Sequence, residues 1–200
     1  MMIVISFVEL IPQGLKHASL FFIAISFFAG AVIMRIVDHL LPHVNPELIK
    51  KEKPSVKRSV IMLVIGIALH NIPEGLAIGV GFAITAKLGI TIALAIAIQD
   101  IPENIATIVP LYGMIKKKAK SFVILITTVL FEVAGFLLGY LVLRGLSLSW
   151  LGVSLALAAG FMVYISVEEL IPSAQVKRYP KMAAAAMVLG AMTVLLTSLV

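Results

Sequence analysis

From Leu20 to Met34 the chain reads L-F-F-I-A-I-S-F-F-A-G-A-V-I-M, with no charge to interrupt it. Runs of this kind recur along the sequence. A helix needs roughly 20 apolar residues to cross the hydrocarbon core of a bilayer. The apolar stretches predict such helices near 19–41, 59–83, 88–112, 121–143, 150–172 and 182–200. Residues 2–12 are apolar too, but too few to cross unaided. In lipid every backbone polar group must be paired within the span, and spans of this length do so as helices. The expected fold is therefore an all-α, polytopic membrane helix bundle, forming one domain over residues 1–200. Composition agrees, with 61% hydrophobic and 13% charged residues and a mean hydropathy of +1.12. A soluble domain is nearer 45–50% apolar and about 25% charged.

The net charge of +6 could suggest a nucleic-acid partner, but the basic residues are distributed as a topology signal. Lys50, Lys51, Lys53, Lys57 and Arg58 lie in the 42–58 loop. Lys116, Lys117, Lys118 and Lys120 lie between the third and fourth spans, and Lys177, Arg178 and Lys181 precede the last one. The alternate loops carry only Lys16, Lys87 and Arg144. Lysine and arginine accumulate on the cytoplasmic side of membrane proteins. The rich loops are thus expected in the cytoplasm, with the C-terminus outside, in the plasma membrane. No basic n-region precedes residues 1–12, so no cleavable signal peptide is expected. Cysteine is absent, which removes disulfides and thiolate ligands from consideration.

Two motifs occur twice. I-P-E stands at 72–74 and 101–103, on consecutive and so antiparallel helices. E-L-I-P stands at 9–12 and 169–172, on segments that end at opposite faces under the expected topology. Related motifs in opposed orientations suggest inverted repeats, a common plan among transporters.

The chain has ten acidic residues, and only Glu47 and Glu52 fall in an obvious aqueous loop. Glu74, Asp100, Glu103 and Glu132 lie within apolar spans. A carboxylate at bilayer depth costs about 2.5–3.5 kcal/mol on insertion scales, so four of them need a common reason. A bound cation supplies one. His70 and Glu74 are four residues apart on one helix face, as are Gln99 and Glu103. Asn71–Glu74 and Asp100–Glu103 are pairs three apart on the same side. Pro73 and Pro102 cannot bond the carbonyls of Leu69 and Ile98, and each break lets backbone groups line a cavity. Imidazole with carboxylates suits Zn²⁺, neighbouring first-row divalent ions and Cd²⁺. An all-oxygen cage would suit Ca²⁺ or Mg²⁺ better. The bland alternatives are a core histidine, amides that bond neighbouring helices, and a proton relay without metal. A second polar cluster, Asp38, His39, His43, Glu168 and Glu169, gathers at the cytoplasmic ends of two helices. It reads either as an inner metal site or as a capped helix end.

H-N-I-P-E-G-L-A-I-G-V followed by Q-D-I-P-E-N-I-A resembles the paired metal-binding helices of the ZIP (Zrt/Irt-like) family of divalent metal transporters, and most of all its GufA-like branch. F-E-V-A-G and V-E-E-L-I-P resemble the two helices that follow. The resemblance implies an inverted 3+2+3 arrangement of eight helices, both termini outside, and a homodimer. It implies a first metal site at His70, Glu74, Gln99 and Glu103. A second would be formed by Asn71, Asp100 and Glu132, which share Glu74 and Glu103 with the first in a binuclear centre. Asp38, His39, His43, Glu168 and Glu169 would form the inner release region, and Glu9 would stand near the entrance. Two departures accompany it. Asn104 stands where the family usually has glycine. The chain also begins inside the family's second helix, so the first helix and part of the second are expected to be missing.

The expected activity is thus import of divalent metal, chiefly Zn²⁺, with Cd²⁺, Fe²⁺ or Mn²⁺ as alternatives. No enzyme activity and no nucleic-acid partner are expected. No G-x-x-x-x-G-K-[ST] motif is present to couple ATP. Two rivals are a proton-coupled transporter of another solute and an intramembrane zinc hydrolase. The second lacks an H-E-x-x-H helix.

Overall fold

The computed structural model describes residues 1–40 and 56–170, together with positions 188 and 192. Every regular element among them is helical. We label them α1 (Met2–Leu15), α2 (Leu20–Leu40), α3 (Val56–Ile84), α4 (Ala86–Ile115), α5 (Lys118–Val142) and α6 (Leu148–Glu168). The last five are long and apolar enough to cross a bilayer. The chain is a multi-pass membrane helix bundle with five such spans among its described residues. The expected 182–200 helix and the 42–58 loop fall largely outside the described residues, and His43 lies there too.

The turns are short and chemically specified. Thr85 alone separates α3 from α4. Its backbone is extended, and its hydroxyl accepts from the Leu88 amide at 3.1 Å, satisfying one of the unpaired donors of a helix start. At the other end of α4, Lys116 adopts φ 55° and Lys117 is extended before α5 begins. A left-handed residue is a common way to stop a helix, though usually with glycine.

Glycines set which helices pack most closely. On α3, a Cβ at Gly75 would strike the Glu132 carbonyl oxygen, and one at Gly79 would strike that of Phe136. From α5, Gly135 faces the carbonyl of Ile72 and Gly139 that of Leu76. The α3 and α5 backbones therefore touch through reciprocal glycines spaced four apart, the close packing that small residues permit between membrane helices. A second locked pair joins α2 to α6, where Gly30 abuts the Leu157 carbonyl and Gly160 that of Phe27. Ser26 Oγ adds a 2.7 Å bond to the Val153 carbonyl across this pair. Gly14 of α1 and Gly152 of α6 meet reciprocally, each Cβ position being 2.9 Å from the other's carbonyl oxygen. Between the two locked pairs lies a core of larger side chains, including Leu76 and Val80 from α3, Ile92 and Ile96 from α4, and Leu155 and Met162 from α6. The outer faces of α2, α4 and α5 are apolar and exposed, as lipid-facing surfaces are.

The two E-L-I-P segments share more than four residues. Met2–Pro12 and Met162–Pro172 are identical at Met2/Met162, Ile5/Ile165, Ser6/Ser166, Glu9/Glu169, Leu10/Leu170, Ile11/Ile171 and Pro12/Pro172. The backbone departs from α geometry into a π turn at equivalent places, Ser6–Leu10 and Ser166–Leu170. In each, the serine hydroxyl donates back to the methionine carbonyl four residues earlier, at 2.9 Å from Ser6 and 2.8 Å from Ser166. Ser166 Oγ also lies 3.5 Å from the Met2 sulfur, so the two segments meet.

Candidate metal centre

Pro73 and Pro102 both lie inside continuous helices. Around them, α3 and α4 bring their polar residues together. One ligand oxygen from each of Glu74, Asp100 and Glu103 can be chosen so that all lie within 4.8 Å of one another. Glu74 is 1% exposed. Gln99 joins the group by donating from Nε2 to the Glu74 carboxylate, and its own Oε1 is buried with no hydrogen-bond partner among the described residues. A buried amide oxygen without a donor is costly. This one belongs to the same side chain that reaches the Glu74 carboxylate.

His70 stands one turn before Glu74 and is buried. Its Nδ1 is 2.6 Å from the Gly66 carbonyl oxygen. That oxygen can only accept, so Nδ1 carries the proton and Nε2 holds the ring's lone pair, the arrangement usual for a metal-ligating histidine. His70 and Glu132 fall outside the tight group of three carboxylates. Asn71 donates from Nδ2 to the Thr128 carbonyl of α5 at 2.9 Å. Together with the Gly75–Glu132 backbone contact, this bond fixes how α5 presents Glu132 to α3.

The other sequence candidates lie apart from this group. Asp38 accepts from the Tyr164 hydroxyl at 3.3 Å, joining α2 to α6 near their expected cytoplasmic ends. His39 and Glu168 are exposed at that level, and the side chain of Glu169 is outside the described residues. Glu9 is buried within its π turn and accepts from Gln13 Nε2 at 3.0 Å. The roles of Thr128 and Tyr164 were not anticipated from the sequence. Thr128 offers a backbone carbonyl, which any residue carries, so no residue type announces it. Tyr164 did carry a signal, being a phenol on an apolar helix three residues before the V-E-E-L stretch.

A family model described as ZIP Zinc transporter matches residues 42–198. The chain belongs to the ZIP zinc transporter family. Its polytopic helical bundle and acidic intramembrane cluster fit a ZIP protein, whose members transport rather than catalyse. Among related ZIP proteins, a zinc transporter ZupT of Chlorobium chlorochromatii is 35% identical over 163 residues, covering 76% of this chain and 61% of that protein. One from Stenotrophomonas maltophilia is 32% identical over 165 residues, covering 78% and 61%. One from Salmonella heidelberg is 33% identical over 188 residues, covering 87% and 71%. The chain thus spans about three-fifths of the length of the first two relatives.

Proposed function

We propose that this chain imports divalent metal, chiefly Zn²⁺, into the cytoplasm across the plasma membrane, driven by the metal's own gradient. The observation that carries the reading is the meeting of Glu74, Asp100 and Glu103 beside the unpartnered Gln99 oxygen. Such a group is unfavourable in a membrane until a cation balances it. The similar zinc transporters agree with the donor set, since imidazole and carboxylate oxygens suit Zn²⁺. Cd²⁺, Fe²⁺ and Mn²⁺ are the competing ions to test.

In this reading the first site is His70, Glu74, Gln99 and Glu103. Asn71, Asp100 and Glu132 complete a second, sharing Glu74 and Glu103. Metal enters past Glu9 and leaves past Asp38, His39, His43, Glu168 and Glu169. The helices form one transporter domain on an inverted 3+2+3 plan, in the GufA-like branch, with the C-terminus outside and two chains forming a dimer. The matched π turns of α1 and α6 support the repeat. The two glycine-locked pairs support a transport step in which α3 and α5, with α4, move as a unit against α2 and α6.

The test is Zn²⁺ uptake into proteoliposomes, with competing ions present. His70→Ala and Glu103→Ala are each expected to remove most uptake while the protein still purifies as a folded species. Wild-type uptake in both variants would overturn the assignment. Uptake of a solute without any metal requirement would favour proton-coupled transport instead.

A further inference from the structure

The α4–α5 hairpin end holds a cleft of about 570 Å³ that the metal reading does not use. Thr107, Leu111, Ser121 and Leu125 are buried along the seam between the two helices. On the outer side of that seam, Ile108, Val109, Tyr112 and Phe122 line the cleft, and Lys118 stands in its wall. Val109 is 64% and Phe122 60% exposed. Among the described residues the cleft is therefore an apolar furrow with exposed walls and Lys118 at its margin.

The charge is one-sided. Lys116, Lys117, Lys118 and Lys120 fall within five residues, and no acidic residue occurs between Glu103 and Glu132. The α5 helix starts here with no side chain capping its first turn, so its amide donors add a positive end. Tyr112, an amphipathic ring favoured at the membrane–water boundary, marks the level at which furrow and charge meet. Lysine stems can lie on the apolar wall while their ammonium groups reach outward.

The geometry points to a binding site for one anionic phospholipid, with an acyl chain along Val109 and Phe122 and the phosphate at Lys118, within the positive field of Lys116, Lys117 and Lys120. Charge complementarity selects this occupant over a neutral lipid. The expected cytoplasmic side of this loop is also where anionic lipids attract basic segments. The site sits at the end of the helix that carries Gln99, Asp100 and Glu103, so the lipid anchors that helix at the membrane surface. Binding itself does not depend on whether the chain moves metal.

Native mass spectrometry of the full chain, titrated with phosphatidylglycerol or phosphatidylcholine, tests the site. The wild type is expected to retain phosphatidylglycerol preferentially. Replacing the four lysines by glutamine is expected to weaken that lipid by about fivefold per lysine removed, leaving phosphatidylcholine retention unchanged. Val109→Trp fills the furrow with the lysines intact and is expected to lower phosphatidylglycerol retention as well. Equal retention of the two lipids by the wild type would overturn the proposal. So would an undiminished preference in the glutamine variant, or no change in Val109→Trp. Because the chain has no cysteine, a disulfide formed readily between cysteines at 109 and at 188 or 192 would show that the chain covers the cleft itself, and would also overturn it.

Discussion

Gln99 serves the cluster with both ends of its amide. Its nitrogen donates to Glu74, and its oxygen has no hydrogen-bond partner among the described residues. A leucine of similar size removes both functions at once. Gln99→Leu is expected to lower Zn²⁺ affinity at least tenfold, about 1.4 kcal/mol, by calorimetric titration of the purified protein. Unchanged affinity would mean that the amide only orients Glu74. Asp100 poses a different question, because it is the third carboxylate of the tight group. Two divalent ions sharing Glu74 and Glu103 would sit roughly 3.5–4 Å apart, and the extra negative charge of Asp100 offsets their repulsion. Asp100→Asn is therefore expected to reduce bound metal from two ions to one per chain, and to impair uptake less than loss of Glu103. One ion per chain in both proteins would reduce Asp100 to a tuning role.

At the scale of elements, the α3–α5 contact is the most demanding in the bundle. Gly75→Ala puts a methyl group into the Glu132 carbonyl, and backbone cannot yield as a flexible side chain can. The expected loss is about 1–3 kcal/mol, together with weaker metal binding as Glu132 is pushed from α3. Gly113→Ala, in α4 with nothing within 4 Å of its Cβ position, is the control. It is expected to leave stability within about 1 kcal/mol in thermal unfolding of the detergent-solubilised protein. Much of this was legible in the sequence. The apolar runs show where the helices lie, and the charges set among isoleucines and alanines show where their polar faces meet. The π turns were not legible, because a helix that gains one residue per turn keeps the same composition. The glycine contacts were half visible: Gly75 and Gly79 mark a small-residue face but do not name α5 as its partner. The Asn71–Thr128 bond was hidden for a related reason, since an amide side chain gives no direction along the sequence in which to look for a backbone carbonyl.

For the whole molecule, the proposed orientation rests on the loop charges and the proposed repeat on the matched π turns. Single cysteines in place of Ser55 and Ala119 are expected to react with an impermeant thiol reagent only from the cytoplasmic side, and one in place of Ser147 only from outside. Labelling of all three from one side would remove both the orientation and the inverted repeat.

The contact between α3 and α5 also bears on how the protein is made. Asn71 bonds a carbonyl that is synthesised 57 residues after it. At about 5–20 residues per second, α3 leaves the ribosome several seconds before the helix that locks against its glycines. During that interval α4 is available to Glu74, while α5 is not yet made. The short α3–α4 turn at Thr85 keeps those two helices together through the delay. A cell that slowed synthesis between residues 115 and 130 would prolong the period in which the acidic cluster is exposed to quality control.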